Sequence, residues 1–153
     1  MKDNIKLITK NRKARREYEI IETYEAGIEL KGTEVKSIRL GNVNIADSYA
    51  MIKNNELYLV GAHISPYEQG NRYNVDPTRD RKLLMHKKEI MRLFGRTQQQ
   101  GLTLIPLSLY FKNSRVKVEL ALGKGKKLHD KREDIIRRET DRAVARNIKN
   151  FNN

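Results

Sequence analysis

The chain has 153 residues, no cysteine, and a net charge of +13 from 32 Lys and Arg against 19 Asp and Glu. That length supports one domain with a real core plus extensions, and the lack of cysteine excludes disulfides and thiolate metal sites. The charge disfavours an enzyme for small neutral substrates and favours a polyanionic partner, nucleic acid first.

No apolar run approaches the roughly 18 residues needed to span a bilayer, so no membrane partner is expected. The opening "MKDNIKLITKNRKARREY" is basic but lacks the apolar centre of a secretory signal, which points to a cytoplasmic protein. Charge is distributed in blocks: residues 1–16 carry +6, 17–71 carry −5, 72–96 carry +5 and 124–153 carry +5. Basic surfaces at both ends and in the middle suit contacts with several stretches of phosphate; lysine serving only solubility is the plain alternative.

The first 16 residues read as a basic arm. "YEIIETYEAGIEL" then supplies strands, with alternation imperfect around Glu22 and Gly27 suggesting a bulge or turn. "GTEVKSIRLG" predicts a short helix capped by Thr33, with Val35 and Ile38 on one face and Gly41 as its stop. "SYAMIKNNELYLVGAHI" predicts a hairpin around Asn54 and Asn55, since Asn tolerates the left-handed backbone of a tight turn.

In "DPTRDRKLLMHKKEIMRLFG", Leu83, Leu84, Ile90, Met91 and Phe94 recur at near-helical spacing between Asp80 as cap and Gly95. This helix is expected across a barrel opening. "LTLIPLSLYFKNSRVKVELAL" reads as a second hairpin, pairing a two-sided apolar run, Leu102 to Phe111, with an alternating strand. Val116, Val118, Leu120 and Leu122 share one face of that strand, and Arg115, Lys117 and Glu119 the other. Tyr49, Tyr58 and Tyr110 are expected to pack in or against the sheet, whereas Tyr67 and Tyr73 fall in the loop "SPYEQGNRYNV" and suit exposed contact.

The fold class this predicts is mainly β: a small closed antiparallel β-barrel with two or three short helices, since closure removes exposed sheet edges. Residues 1–123 form the barrel domain with its basic N-terminal arm, and 124–153 form a separate basic tail. The tail has ten positive and five negative charges and a thin apolar stripe, so it is expected to be disordered when free. Its Arg, Glu, Lys and Ala are good helix formers, so a negatively charged channel would let it fold on binding. "GKGKK" has too short a glycine spacing for a phosphate-cradling loop and reads as a flexible joint, with Gly123 and Gly125 turning the chain away from the barrel.

Catalysis finds little support. His63, His86 and His129 are the only histidines, and none has metal-ligand spacing or a nucleophile–base pattern nearby, so neither cofactor nor catalytic residue is expected. On the residues alone, constitutive binding to ribosomal RNA fits the charge equally well.

"NRKARREYEIIETYEAGIELKGTEVKSIRLGNVNIADSYA", "AHISPY", "DPTRDRKLLMHKKEI" and "KVELALGKGKKLHDKRE" together resemble the small protein B family, the bacterial SsrA-binding proteins. The resemblance runs from about Asn11 to Arg138. It implies a barrel of oligonucleotide-binding type that holds the tRNA-like part of transfer-messenger RNA (SsrA RNA) and brings it to stalled ribosomes for trans-translation. The implied protein is an adaptor and not an enzyme, a monomer meeting alanyl-tRNA synthetase and elongation factor Tu through the RNA.

The resemblance also assigns residues. Asn11, Glu25, Leu84 and Lys117 stand at RNA-binding positions, with Arg12, Lys13, Arg15, Arg79, Arg81 and Lys82 as basic residues beside them. Arg and Lys neutralise phosphate and Leu84 offers an apolar surface to an unstacked base, while a carboxylate such as Glu25 requires a base amine or ribose hydroxyl. By the same resemblance the tail enters the empty mRNA channel and decoding region of the small ribosomal subunit. Gly125, Lys126, Lys127, His129, Asp130, Lys131 and Arg132 are its ribosome-binding residues. The sequence departs from the family pattern at Val75, Met85 and Thr140, the last replacing a frequent tail tryptophan.

Overall fold

The structure, a computed structural model, describes residues 4–69 and 74–126. In chain order the elements are β1 (Ile5–Lys10), α1 (Arg12–Glu17), β2 (Tyr18–Ile28), α2 (Gly32–Arg39), β3 (Val43–Asn44) and β4 (Tyr49–Lys53). They continue with β5 (Glu56–Val60), β6 (His63–Ile64), β7 (Arg81–Leu84), α3 (Lys87–Gln100), β8 (Thr103–Lys112) and β9 (Arg115–Gly125). The described chain is thus mainly β with three helices.

Seven strands form one antiparallel sheet in the order β1-β8-β4-β5-β7-β2-β9, with β8 also paired to β9; β3 and β6 form a small second sheet. Both expected hairpins are present, and both turn through two residues of positive φ: Asn54 and Asn55 at 53° and 64°, Asn113 and Ser114 at 51° and 70°. Such left-handed pairs match the natural twist of the flanking strands. Val116, Val118, Leu120 and Leu122 are buried on one face of β9, as the alternation predicts.

The main core gathers Ala26, Leu57, Leu59, Leu83, Leu104, Leu109, Val118, Leu120 and Leu122 from the sheet, with Ile90 and Leu93 of α3 packed against them. Full burial of each such leucine stabilises by about 1.5–3 kcal/mol. On the opposite face, Ala14 of α1 meets Ile105, Leu107 and Ala121, which explains why β8 is apolar on both sides. A third cluster joins Ile38 of α2 to Ile64 and Val116.

Several expectations need correction. Residues 5–17 are not an arm: Ile5–Lys10 pairs with β8, and α1 follows because Asn11 caps it and Ala14 is buried. Residues 18–28 make one strand, whose irregularity lies between Ile20 and Glu22 rather than at Gly27. Helix α2 begins after Lys31 instead of Thr33, because the Glu34 carboxylate reaches back to accept from the Lys31 N–H at 2.8 Å.

The helix expected from Asp80 starts only after His86, since Arg81–Leu84 fills the slot between β5 and β2 as a strand. It also runs through Gly95 to a left-handed stop at Gly101, φ 62°. Of its five expected apolar residues only Ile90 serves the buried helix face, while Met91 and Phe94 are exposed.

Tyr49 does not pack inward but is exposed. Tyr73 and the tail residues Lys127, His129, Asp130, Lys131 and Arg132 lie outside the described residues. The joint expected at Gly123 is instead part of β9: Gly123 pairs with Ile20 and Thr103, and an added Cβ would meet Tyr18 Cβ at 3.2 Å and Ile105 Cδ1 at 3.3 Å. Glycine is there for close packing. The strand continues to Gly125, opposite Tyr18, and the Lys126 N–H donates to Glu17 O at 2.9 Å.

Candidate nucleic-acid interface

Directly opposed residues on neighbouring strands present their side chains to the same face of a sheet. Successive pairings Leu7–Tyr110, Tyr110–Lys117, Lys117–Gly27 and Gly27–Leu84 therefore align one row across β1, β8, β9, β2 and β7. The row has exposed apolar ends, Leu7 and Leu84, and an aromatic and a cation between them. Gly27 leaves a gap in the row, and a Cβ there would meet Leu84 Cβ at 3.2 Å. Apolar, aromatic and cationic groups in line can cover unstacked bases while contacting the backbone beside them.

Glu25 sits two residues along β2 from Gly27, on the same face. Its carboxylate accepts from the Tyr110 hydroxyl at 2.5 Å and from Lys112 Nζ at 3.3 Å. The Tyr110 hydrogen bond, aided by Lys112 and opposed by partial burial, holds Glu25 below the usual carboxylate range. Burial and the neighbouring carboxylate push the Tyr110 phenol well above its ordinary value, so it remains a donor. An ionised, oriented acceptor beside Lys117 can receive a base amine or ribose hydroxyl.

The same unit occurs twice more. Glu56 accepts from Tyr58 at 2.8 Å and from Lys82 at 3.1 Å, and Glu22 accepts from Tyr24 at 2.6 Å and from Arg96. In each, the tyrosine hydroxyl is the first cause of a depressed carboxylate, with the cation adding to it. Lys82 lies on the same strand face as Leu84, opposite Tyr58, so this predicted residue joins the Leu84 side of the row.

Of the predicted residues, the structure brings Glu25, Lys82, Leu84 and Lys117 to this face. Arg15 reaches it from α1, 3.8 Å from Glu119, whose backbone lies opposite Glu25. Arg12 is exposed at the start of α1, and Lys13 pairs with Asp47 at 2.5 Å.

Asn11, Arg79 and Arg81 stand apart. Asn11 is only 2% exposed: its Oδ1 accepts from Ala14 N, and its Nδ2 donates to Ile45 O at 3.1 Å and Pro106 O at 2.9 Å. It locks α1 onto the sheet. Arg81 is fully buried, donating to Glu34 Oε2 at 2.9 Å, Ala62 O at 2.6 Å and Pro77 O at 2.8 Å, while half-buried Arg79 clamps the other side of the same carboxylate. Burial opposes ionisation of Glu34, but Arg79, the Lys31 N–H and Arg81 overcome it and hold the group below the usual range. Gly125 ends β9 opposite Tyr18, and Lys126 follows it with its N–H donated to Glu17 O at the end of α1.

Sequence reasoning missed Leu7, Tyr110, Gly27 and Lys112. For Tyr110 the signal was available, since alternation along β8 and β9 puts it on the polar face with Lys117. Leu7 was hidden because β1 carries no clean alternation. Among the described residues no group of His, Asp and Glu is arranged to hold a metal ion. No described helix is long and apolar enough to cross a membrane.

Comparisons with known proteins place this geometry in a family. The SsrA-binding protein of Desulforudis audaxviator is 64% identical over 141 residues, 92% of each chain. That of Carboxydothermus hydrogenoformans is 61% identical over 144 residues, 94% of this chain and 97% of the relative. A chain of the solved structure described as "tmRNA-SmpB: a journey to the center of the bacterial ribosome" superposes with a TM-score of 0.68 at 53% identity, covering 83% of this chain and 93% of that one. The model of the SmpB protein family matches residues 8–150, and the chain belongs to that family.

Proposed function

We propose that the chain binds the tRNA-like part of transfer-messenger RNA and delivers it to stalled ribosomes for trans-translation. The observation that carries this reading is the row from Leu7 to Leu84 with the oriented Glu25 carboxylate beside it, in a chain whose close relatives are named for binding SsrA RNA. Glu25, Lys117 and Leu84 touch the RNA, Arg12, Lys13, Arg15 and Lys82 hold phosphate around them, and Asn11, Arg79 and Arg81 keep the surface in shape from below. The β8–β9 pairing joins strands far apart in the sheet order and supports a closed barrel of oligonucleotide-binding type with α3 over its opening.

The protein acts in the cytoplasm as a monomeric adaptor without catalysis or cofactor, meeting alanyl-tRNA synthetase and elongation factor Tu through the RNA. Residues 127–153 form the tail that reads the empty mRNA channel and decoding region, through Lys127, His129, Asp130, Lys131 and Arg132. The extent of β9 to Gly125 and the bond from Lys126 N–H to Glu17 O support a domain boundary after Lys126 instead of Gly123.

The test is binding of the full chain to the isolated tRNA-like RNA as a function of salt. Displaced counterions make affinity fall steeply with salt, with several phosphates neutralised. A nearly flat dependence overturns the reading.

A further inference from the structure

Helix α2 has an uneven charge distribution. Its exposed residues include Lys36 and Arg39, with Lys31 just before them, whereas its only carboxylate, Glu34, is 3% exposed and neutralised by Arg79 and Arg81. The outward side of the helix is therefore purely cationic. Each of two cations lies over an aromatic ring: Arg39 is 6.0 Å from the centre of Phe111, and Lys36 is 5.4 Å from that of Tyr67. Leu40, 65% exposed, stands at the helix end.

Beneath Arg39 lies a cleft of about 420 Å³ between β1, the end of α2 and the β8–β9 turn, with Lys6, Leu7, Ile8, Ile38, Arg39 and Phe111 on its walls. Clefts of this size accommodate a small planar ligand. The floor is apolar and offers one half-buried ring, the rim carries two cations, and among the described residues neither Lys6 nor Arg39 enters an ion pair. Lys6 and Phe111 are paired and so share the face opposite the Leu7–Tyr110 row, and Leu7, which also lines the cleft, marks the β1 edge where the two surfaces meet.

We infer that this cleft takes one unstacked base of a single-stranded RNA segment, placed against Phe111 beneath the Arg39 guanidinium, with the flanking phosphate on Lys6 and Arg39. Aromatic and guanidinium planes are the groups on which splayed RNA bases stack. The exposed Arg39 side chain can swing outward to admit the base, and Gly41, at φ 79°, turns the chain at the cleft wall. The row and the cleft meet at the β1 edge, where a strand lying on the row can turn past Leu7 toward the cleft; that route rests on the proposed RNA-binding function, whereas the cleft itself does not.

The probe is a single-stranded RNA hexamer of alternating adenosine and uridine carrying one 4-thiouridine, with the full chain and its variants. Photocrosslinks mapped by mass spectrometry are expected in the segments holding Arg39 and Phe111. Phe111→Leu, which keeps the apolar filling of the third core cluster but removes the ring, and the exposed Arg39→Gln are each expected to weaken hexamer binding about five- to tenfold at unchanged thermal midpoint. Lys117→Ala is expected to leave those crosslinks in place, so that failure of the row and failure of the cleft read out separately. Crosslinks confined to the row, or unchanged affinity in both cleft variants, overturn the inference. Displacement by oligoglutamate as effective as by unlabelled hexamer, or an RNA-free dimer abolished by Arg39→Gln, likewise overturns it by assigning the cleft to an acidic peptide or to a second copy of the chain.

Discussion

Tyr110 and Glu25, on strands separated by β9, meet through a 2.5 Å hydrogen bond that crosses above the Lys117 strand. The phenol keeps its proton and the carboxylate stays ionised, so the pair presents a fixed acceptor at the centre of the face. Without the hydroxyl, Glu25 would retain Lys112 but lose its orientation.

Tyr110→Phe should therefore raise the Glu25 titration midpoint toward the ordinary carboxylate range, because the first cause of its depression is removed. Carbon-13 NMR of the Glu25 carboxyl as a function of pH checks the direction. Stability should change by no more than about 1 kcal/mol, since the pair is exposed to water. RNA affinity should fall while the fold remains. An unmoved midpoint would mean that the hydroxyl does not hold the carboxylate in solution.

Glu34→Gln should be far more costly. It leaves Arg81, fully buried, without its counter-charge, and breaking a buried pair from one side costs about 3–5 kcal/mol. The sign of its pH dependence follows from the depressed pKa of Glu34: the stabilisation is fully present above the unfolded-state value and is lost as pH falls through the lower folded value. The variant should thus show both a lower denaturation midpoint at neutral pH and a shallower loss of stability in acid. Arg79→Ala, at a partly exposed site, should cost less. Equal effects of the two variants in urea titrations would contradict the assigned roles.

Much of this was legible in the sequence, and the misreadings have physical causes. The two hairpins announced themselves through Asn-Asn and Asn-Ser turns between apolar runs, and β9 through unbroken alternation. Arg81 read as a surface cation because nothing local in "DPTRDRKLL" reveals Glu34, 47 residues earlier, as its partner. The same blindness made Leu83 and Leu84 look helical: their spacing fits a helix, and only the vacant place between β5 and β2 makes them a strand. Gly123 looked like a hinge because tight packing against Tyr18 and Ile105 is a tertiary fact. Glu25 and Leu84 were assigned to the candidate surface only through family resemblance; in isolation Glu25 looks like a solvated strand residue and Leu84 like plain core.

Lys117→Ala and Leu84→Ala separate two kinds of RNA contact. Removing the cation should weaken binding to the tRNA-like RNA and reduce the slope of log affinity against log salt by about one. Removing the leucine should weaken binding without altering that slope, since it contributes apolar cover and no charge. Both positions are solvent-accessible, so thermal midpoints should stay close to the parent. Identical slopes for parent and Lys117→Ala would show that Lys117 meets no phosphate.

Ending the chain after Lys126 tests the division between sheet and tail. All of β9 remains, including the Gly125–Tyr18 pair and the bond from Lys126 N–H to Glu17 O, so the described fold should survive. Ending it after Gly123 removes that pair, the Lys124–Glu19 pair and the hold on the end of α1, and should lower stability measurably. The longer truncation should bind the isolated tRNA-like RNA only slightly less well than the full chain, losing a diffuse electrostatic attraction that salt screens. Peptide tagging on stalled ribosomes should nevertheless disappear, as should that of a full-length variant with Asp130, Lys131 and Arg132 all replaced by alanine. Measuring binding and tagging side by side decides the matter: parallel loss of both would show one indivisible RNA-binding unit, and full tagging by the truncated chain would show that residues 127–153 are not needed for rescue.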